Sequence, residues 1–273
     1  MKKAKIRNRI LEVFLWALGL IWLIPFVLVL LTSLKDRGSA ALFQLSLPEV
    51  WHWENYKVVW EEGEILQGFK NSVLISVPTV GICVIFSSML AFWLARVKSK
   101  LSKAVYMFVI MGMTVPMVIV TTFVLLKDIH LLNTHLGVIL VEAALQIPLT
   151  TFIMVGFIEG LPKELDEAAT IDGCGPYRMF WQIILPLLKP VLFTTMILVL
   201  MNSWNDSQVP LYFLTDNTKW PMSLNINRFS LFKTKEWHYI FGSVFLSTFP
   251  VLVAYIFGQK YIIEGMTAGS VKG

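Results

Sequence analysis

The chain has 273 residues, 56% of them hydrophobic and only 15% charged, whereas soluble domains carry about 25% charged residues. That deficit, with the apolar residues gathered into runs, excludes an ordinary soluble domain and reads as an integral membrane protein. The net charge of +5 is no nucleic-acid signal, because the basic residues stand at the ends of apolar runs and form no basic face.

A membrane-crossing helix needs about 20 mostly apolar residues. In chain order the candidate runs are 10–34, 72–94, 105–126, 136–157, 187–201 with an extension, and 240–257 with an extension. The leader MKKAKIRNR looks like the start of a signal peptide, but the apolar run behind it is too long and no small-residue cleavage site follows, so it is expected to remain as a span. Lys2, Lys3, Lys5, Arg7 and Arg9 precede the first run, and Arg96, Lys98, Lys100 and Lys103 follow the second. Lysine and arginine favour cytoplasmic loops. Six spans with both termini inside satisfy that rule and put 35–70, 127–135 and 203–239 outside. In the first outer segment, 49–62 (PEVWHWENYKVVWE) suggests an amphipathic helix whose Trp51, Trp53 and Trp60 suit the headgroup layer. It reads equally as an anchor to membrane lipid or as a docking surface.

The fourth run carries Glu142, with Gln146 one turn below. Ionisable groups within spans mark pathways or partners, although a carboxylate this near an end also has the option of snorkelling outward. After the fourth run comes EGLPKELDEAATIDGCGPYRMFWQIILPLLKP, on the cytoplasmic side of the expected topology. Pro162 suits a first helical turn, and Glu164, Asp166 and Glu167 complement the positive end of the helix dipole there. Gly173 and Gly175 end the helix and let the chain turn back, and Pro176 starts a second helix. Residues 163–172 hold four acids and one lysine. A helix meant for anionic lipid would be basic, so the loop reads either as a docking element for a protein with basic groups or as a solvated connector. After the fifth run, Asn202, Asn205 and Asp206 flank Trp204, a set suited to sugar hydroxyls and faces or to an interfacial tryptophan with polar neighbours.

Catalytic and metal signals are missing from the sequence. Cys83 and Cys174 lack ligand spacing, His52, His130, His135 and His238 are scattered through outer segments, and no phosphate-binding loop, HExxH or GxSxG occurs. No metal, no cofactor and no enzymatic activity are expected of this chain.

EAATIDGCGPYRMFWQIILPLLKP resembles the EAA pattern of ABC importer permeases: Glu167, Ala168, Ala169, Gly173, Ile183, Leu185 and Pro186 stand at its full spacing. TSLKD, ENY, KNSVLIS, LLNTHLGVIL and WND resemble the carbohydrate-uptake branch of that family. The tail EGMTAGSVKG resembles the smaller permease of maltose-type importers. WNDSQVP departs from the branch, which more often has Trp-Asn-Glu-Phe there.

The resemblance implies an all-α integral membrane protein of the type I ABC importer architecture. Residues 1–70 would form the first span and an outer segment, 71–262 the core with a coupling loop at 159–186, and 263–273 a cytoplasmic tail. It further implies a permease for a sugar or oligosaccharide in a bacterial or archaeal inner membrane. Its partners would be a second permease, two copies of a cytoplasmic ABC ATPase or an ATPase heterodimer, and an extracytoplasmic sugar-binding protein, with no nucleic acid. ATP would be bound by the partner subunits, which accounts for the missing phosphate loop. Leu165, Glu167, Ala168, Ala169, Asp172 and Gly173 would then couple to the ATPase, and Thr267, Ala268, Gly269 and Ser270 would reach between the ATPases. Glu142, Gln146, Asn202 and Asn205 are the candidates for lining the pathway. The alternatives are an ion-coupled carrier working without an ATPase and a membrane-embedded enzyme.

Overall fold

The computed structural model describes residues 2–230 and 235–268, and every regular element among them is helical. In chain order these are α1 (Lys2–Ser33), α2 (Arg37–Ala40), α3 (Glu54–Glu62), α4 (Ile65–Arg96), α5 (Lys100–Thr114), α6 (Ile119–Asp128) and α7 (His135–Glu159). There follow α8 (Glu164–Ile171), α9 (Pro176–Leu187), α10 (Lys189–Asn205), α11 (Gln208–Phe213), α12 (Ile226–Ser230) and α13 (Trp237–Ala268).

Four helices are long and apolar enough to cross a membrane: α1 from Leu11, α4, α7, and α13 as far as Gln259. The α5–α6 and α9–α10 pairs raise the total to six if each is one broken span. The first pair bends by 114°, so the run 105–126 is not a single straight helix. The cause is local. Val115 precedes Pro116, and the proline ring keeps the preceding residue out of the helical region; Val115 is extended at φ −82°, ψ 116°. The second pair bends by 78° at Leu188, between Pro186 and Pro190. The straight part of the fifth run starts at Lys189 and carries helix through Asn205, which puts both Asn202 and Asn205 on α10. Pro25, Pro78, Pro148 and Pro250 lie inside helices that continue past them, a tolerance typical of membrane helices.

The chain divides into two compact units. The first combines residues up to Leu66 with Asn225–Phe249. Leu34, Ala40, Val59 and Phe229 are buried in it, and Phe43 meets the edge of the Trp237 ring at 4.7 Å. The TSLKD and ENY segments are its fasteners. The Asn55 amide donates to the carbonyls of Ser33 and Lys35 at 2.9 and 3.0 Å. Lys35, itself buried, donates to the Gln44 carbonyl at 2.7 Å and the Ser46 hydroxyl at 3.0 Å. The stretch around the tryptophans is helical only from Glu54, so Trp51 and Trp53 precede α3 and stack on each other at 6.2 Å.

The second unit runs from Gln67 to Leu224 and takes in the chain from Pro250 onward. Its spans approach through small residues: Cys83 of α4, Ala143 of α7 and Val199 of α10 form one buried cluster. Gly112 of α5 admits the Pro148 ring of α7, which would lie 3.1 Å from any β-carbon there. At one end the Asn71 amide donates to the carbonyls of Thr218 and Trp220 at 2.8 and 3.0 Å. At the same end Asn133, at φ 59°, accepts the amides of Thr215 and Asp216, each at 3.1 Å. Thr134 then caps α7 by accepting the Gly137 amide at 3.0 Å.

Candidate coupling loop and translocation cleft

The acidic helix α8 starts at Glu164, with Lys163 at its N-cap. Pro162 therefore stands ahead of the helix and not in its first turn. Glu164, Asp166 and Glu167 do occupy that turn, where the dipole favours them. The far end closes as a Schellman turn: the Cys174 amide reaches the Ala169 carbonyl at 2.9 Å and the Gly173 amide reaches Thr170 at 3.0 Å. Gly173 has φ +77°, the left-handed conformation that glycine takes without a β-carbon clash. Gly175 is extended and Pro176 begins α9. The middle of α9, Phe180–Ile184, is wound as a π-helix, a local irregularity frequent at functional sites.

One face of α8 belongs to the chain's own core. Ala169 is 3% exposed and packs in a cluster with Ala91 and Ala95 of α4, Met154 and Ile158 of α7, and Phe180 and Ile184 of α9. The two alanines of the motif are thus split, since helical geometry turns neighbouring residues about 100° apart. Ala168 faces out while Ala169 faces in, against the chain's own helices. Leu165, Glu167, Ala168, Asp172 and Gly173 are exposed. So is Ile171 at 86%, a large apolar group at the far end of the helix from its acidic first turn.

A further tie had no signal in the sequence. Arg96 Nε lies 2.5 Å from Asp166 Oδ2, and both side chains are largely buried. The same guanidinium donates long hydrogen bonds to the Leu161 carbonyl, at 3.4 and 3.5 Å. Only the fold brings the end of α4 to the start of α8.

The second candidate region lies between α7 and α10. Glu142, Gln146, Asn202 and Asn205 all line one cleft of about 350 Å³, with Leu145, Met201 and Asp206. Glu142 does not snorkel outward: it is 2% exposed, and the Ser203 hydroxyl donates to its Oε2. Ser203 Oγ is also 3.1 Å from Ser76 Oγ of α4, so three helices share this polar contact. Trp204 points the other way and packs edge-on against Phe69 at 5.6 Å. Of the tail residues, Thr267 and Ala268 close α13, and Gly269 and Ser270 lie outside the described residues.

Apolar spans, a polar cleft between two of them and a projecting acidic helix are the parts of a membrane transport subunit. Residues 84–262 match the family described as binding-protein-dependent transport system inner membrane component. The chain is 32% identical, over all of its own length and all of the relative's, to the probable starch degradation products transport system permease protein AmyC of Thermoanaerobacterium thermosulfurigenes. It is 34% identical to the melibiose/raffinose/stachyose import permease protein MelC of Bacillus subtilis, over 92% of this chain and 91% of that one. Among solved structures it superimposes on a chain of a bacterial ABC transporter involved in the import of the acidic polysaccharide alginate. The TM-score is 0.80 at 20% identity, covering 96% of this chain and 98% of the other. The chain belongs to the binding-protein-dependent transport system inner membrane component family. It is a multi-pass permease subunit of an ABC importer and not itself an enzyme.

Proposed function

We propose that this chain is one of two different permease subunits of an ATP-driven importer for a sugar or oligosaccharide. The observation that carries the substrate class is the end-to-end similarity to a permease named for starch degradation products, joined by one named for melibiose, raffinose and stachyose. The six spans are α1, α4, the α5–α6 pair, α7, the α9–α10 pair and α13. Both termini and α8 face the cytoplasm, an orientation supported by Lys98, Lys100 and Lys103 after α4.

In this reading α8 is the coupling helix. Leu165, Glu167, Ala168 and Asp172 meet a cytoplasmic ATPase, and Ile171 adds an apolar knob to that face. Two such ATPases bind and hydrolyse ATP, and their closure carries α8 with them. Gly173 sets the elbow through which the movement enters α9. Energy reaches the cleft because the ATPases contact the two pore states differently, as coupling between sites requires. Thr267, Ala268, Gly269 and Ser270 extend to the ATPase interface. An extracytoplasmic sugar-binding protein delivers cargo to the opposite end, and Glu142, Gln146, Asn202 and Asn205 line this chain's share of the path. The family assignment does not favour the ion-coupled alternative.

The test is sugar uptake into proteoliposomes holding this chain, its partner permease and the ATPases, with binding protein added. Uptake that requires ATP and this chain is expected. Uptake that persists without ATPases, or that collapses with an ion gradient while ATP is present, overturns the reading.

A further inference from the structure

Helices α7 and α10 are lined along a common seam by polar groups. Glu142, Gln146 and Thr150 recur every fourth residue on α7, facing Thr195 and Asn202 of α10. A smaller cleft of about 110 Å³ shares Leu145, Gln146 and Asn202 with the larger one, so the seam continues beyond it. The threonines are occupied within their own helices: Thr150 donates to the Gln146 carbonyl and Thr195 to the Val191 carbonyl, each at 2.9 Å. The two acceptors above them are not occupied. Glu142 Oε1 and Gln146 Oε1 are buried and receive no hydrogen bond among the described residues. The neighbouring Thr79 hydroxyl donates to the Ile75 carbonyl at 2.9 Å and also lies beside the Glu142 carboxyl.

A buried acceptor without a donor is costly. Two on one cleft wall mark a place where donors arrive from outside the chain. The lining also has a sign. Glu142 and Asp206 border the larger cleft, and among the described residues no lysine, arginine or histidine lines either cleft. Leu145 and Met201 supply apolar surface beside them, which suits the C–H face of a sugar ring.

We infer that this seam is a cargo-contacting stretch of the path built for hydroxyl or ammonium donors, so that the imported sugar is neutral or an amino sugar and not a uronate. Hydroxyls and ammonium groups donate to Glu142 and Gln146. A uronate carboxylate brings another acceptor and, beside Asp206, a like charge into a site of low dielectric, where that repulsion is least screened. The inference rests on the reading of the chain as a sugar-importer permease and adds the chemical class of its cargo.

The test is direct binding of maltotriose, a glucosamine trimer and a galacturonate trimer to the purified complex of permeases and ATPases, without binding protein. Maltotriose or the glucosamine trimer is expected to bind, with the galacturonate trimer failing to displace it. Glu142→Gln, which removes one acceptor oxygen, is expected to weaken binding about fivefold, the loss of one hydrogen bond. Gln146→Ala, which leaves the Glu142–Ser203 contact in place, is expected to weaken it about fivefold. Asn202→Lys, by adding a cation to the same wall, is expected to admit the galacturonate trimer. Galacturonate binding as tight as that of the neutral trimer, unchanged affinity in both weakening variants, or binding of none of the three probes overturns the inference. ATP-driven sugar uptake that depends on this chain would still uphold the importer reading in each of those cases.

Discussion

Arg96 and Asp166 form an ion pair, Nε to Oδ2 at 2.5 Å, with side chains only 11% and 18% exposed. One is the last residue of the long helix α4, and the other lies in the first turn of α8. Together with Ala169, which is sunk in the core beside Ala91 and Ala95, the pair holds the acidic helix to the membrane domain at two points. A movement imposed on α8 therefore reaches α4 directly, as well as α10 by way of α9.

Arg96→Met or Asp166→Asn removes one partner and leaves the other largely buried, at a local cost of about 1–3 kcal/mol. Both variants are expected to reach the membrane and to hydrolyse more ATP per sugar imported, because α8 moves without carrying α4. The swap Arg96→Asp with Asp166→Arg is expected to restore part of the coupling. Wild-type stoichiometry in both single variants would reduce the pair to a local contact.

Gly173 forms the left-handed elbow of the loop. Alanine at φ +77° costs about 1–2 kcal/mol, and nothing lies within 4 Å of the added carbon, so the penalty is one of backbone conformation alone. Gly173→Ala is expected to lower uptake more than Gly173→Asn, because asparagine tolerates the left-handed region better. Equal rates in the two variants would show that the elbow is not held in this conformation during transport.

Glu167 is exposed on α8, so Glu167→Lys is expected to leave insertion intact while reducing uptake and releasing ATP hydrolysis from sugar. Copurification of the ATPase with the variant, compared with wild type, reports whether a contact is lost. Normal uptake at normal expression would remove Glu167 from the coupling surface.

At the other end of the second unit, Asn71→Ala strips the donors from the Thr218 and Trp220 carbonyls. The expected loss is about 1–3 kcal/mol, concentrated in the segment that follows α11. Faster protease cleavage between residues 214 and 221 and a lower thermal midpoint would register it. An unchanged cleavage pattern would mean that Asn133 and Lys219, bonded Nζ to carbonyl at 2.8 Å, hold the segment unaided.

Much of the loop was readable residue by residue. Glycine at an elbow, acids in a first turn and proline at a helix start each follow from one residue's geometry or charge, and all three appear around α8 and α9, although Pro162 falls ahead of the helix. The family-like segments TSLKD, ENY, KNSVLIS and LLNTHLGVIL were legible as a resemblance, but their work was not. Lys35, Asn55, Asn71 and Asn133 turn out to fasten loops by side-chain hydrogen bonds to backbone, and the partners of Asn71 lie more than a hundred positions away. The broken third run was missed because hydropathy sums over a proline whose effect is on the dihedral angles of the residue before it.

Composition and hydropathy by themselves determined that the chain is a helical membrane protein, because the cost of burying backbone polar groups in hydrocarbon leaves long apolar stretches little choice but helix. Local chemistry determined where the acidic helix ends and turns. Which groups meet was decided only by the tertiary structure: Arg96 with Asp166, Ser203 with Glu142 and Ser76, Ala169 turned inward while Ala168 faces out. These contacts depend on how helices rotate and cross, and small residues such as Gly112, Ala143 and Cys83 let the helices approach closely enough for those rotations to be fixed by packing. No periodicity along one segment carries that information.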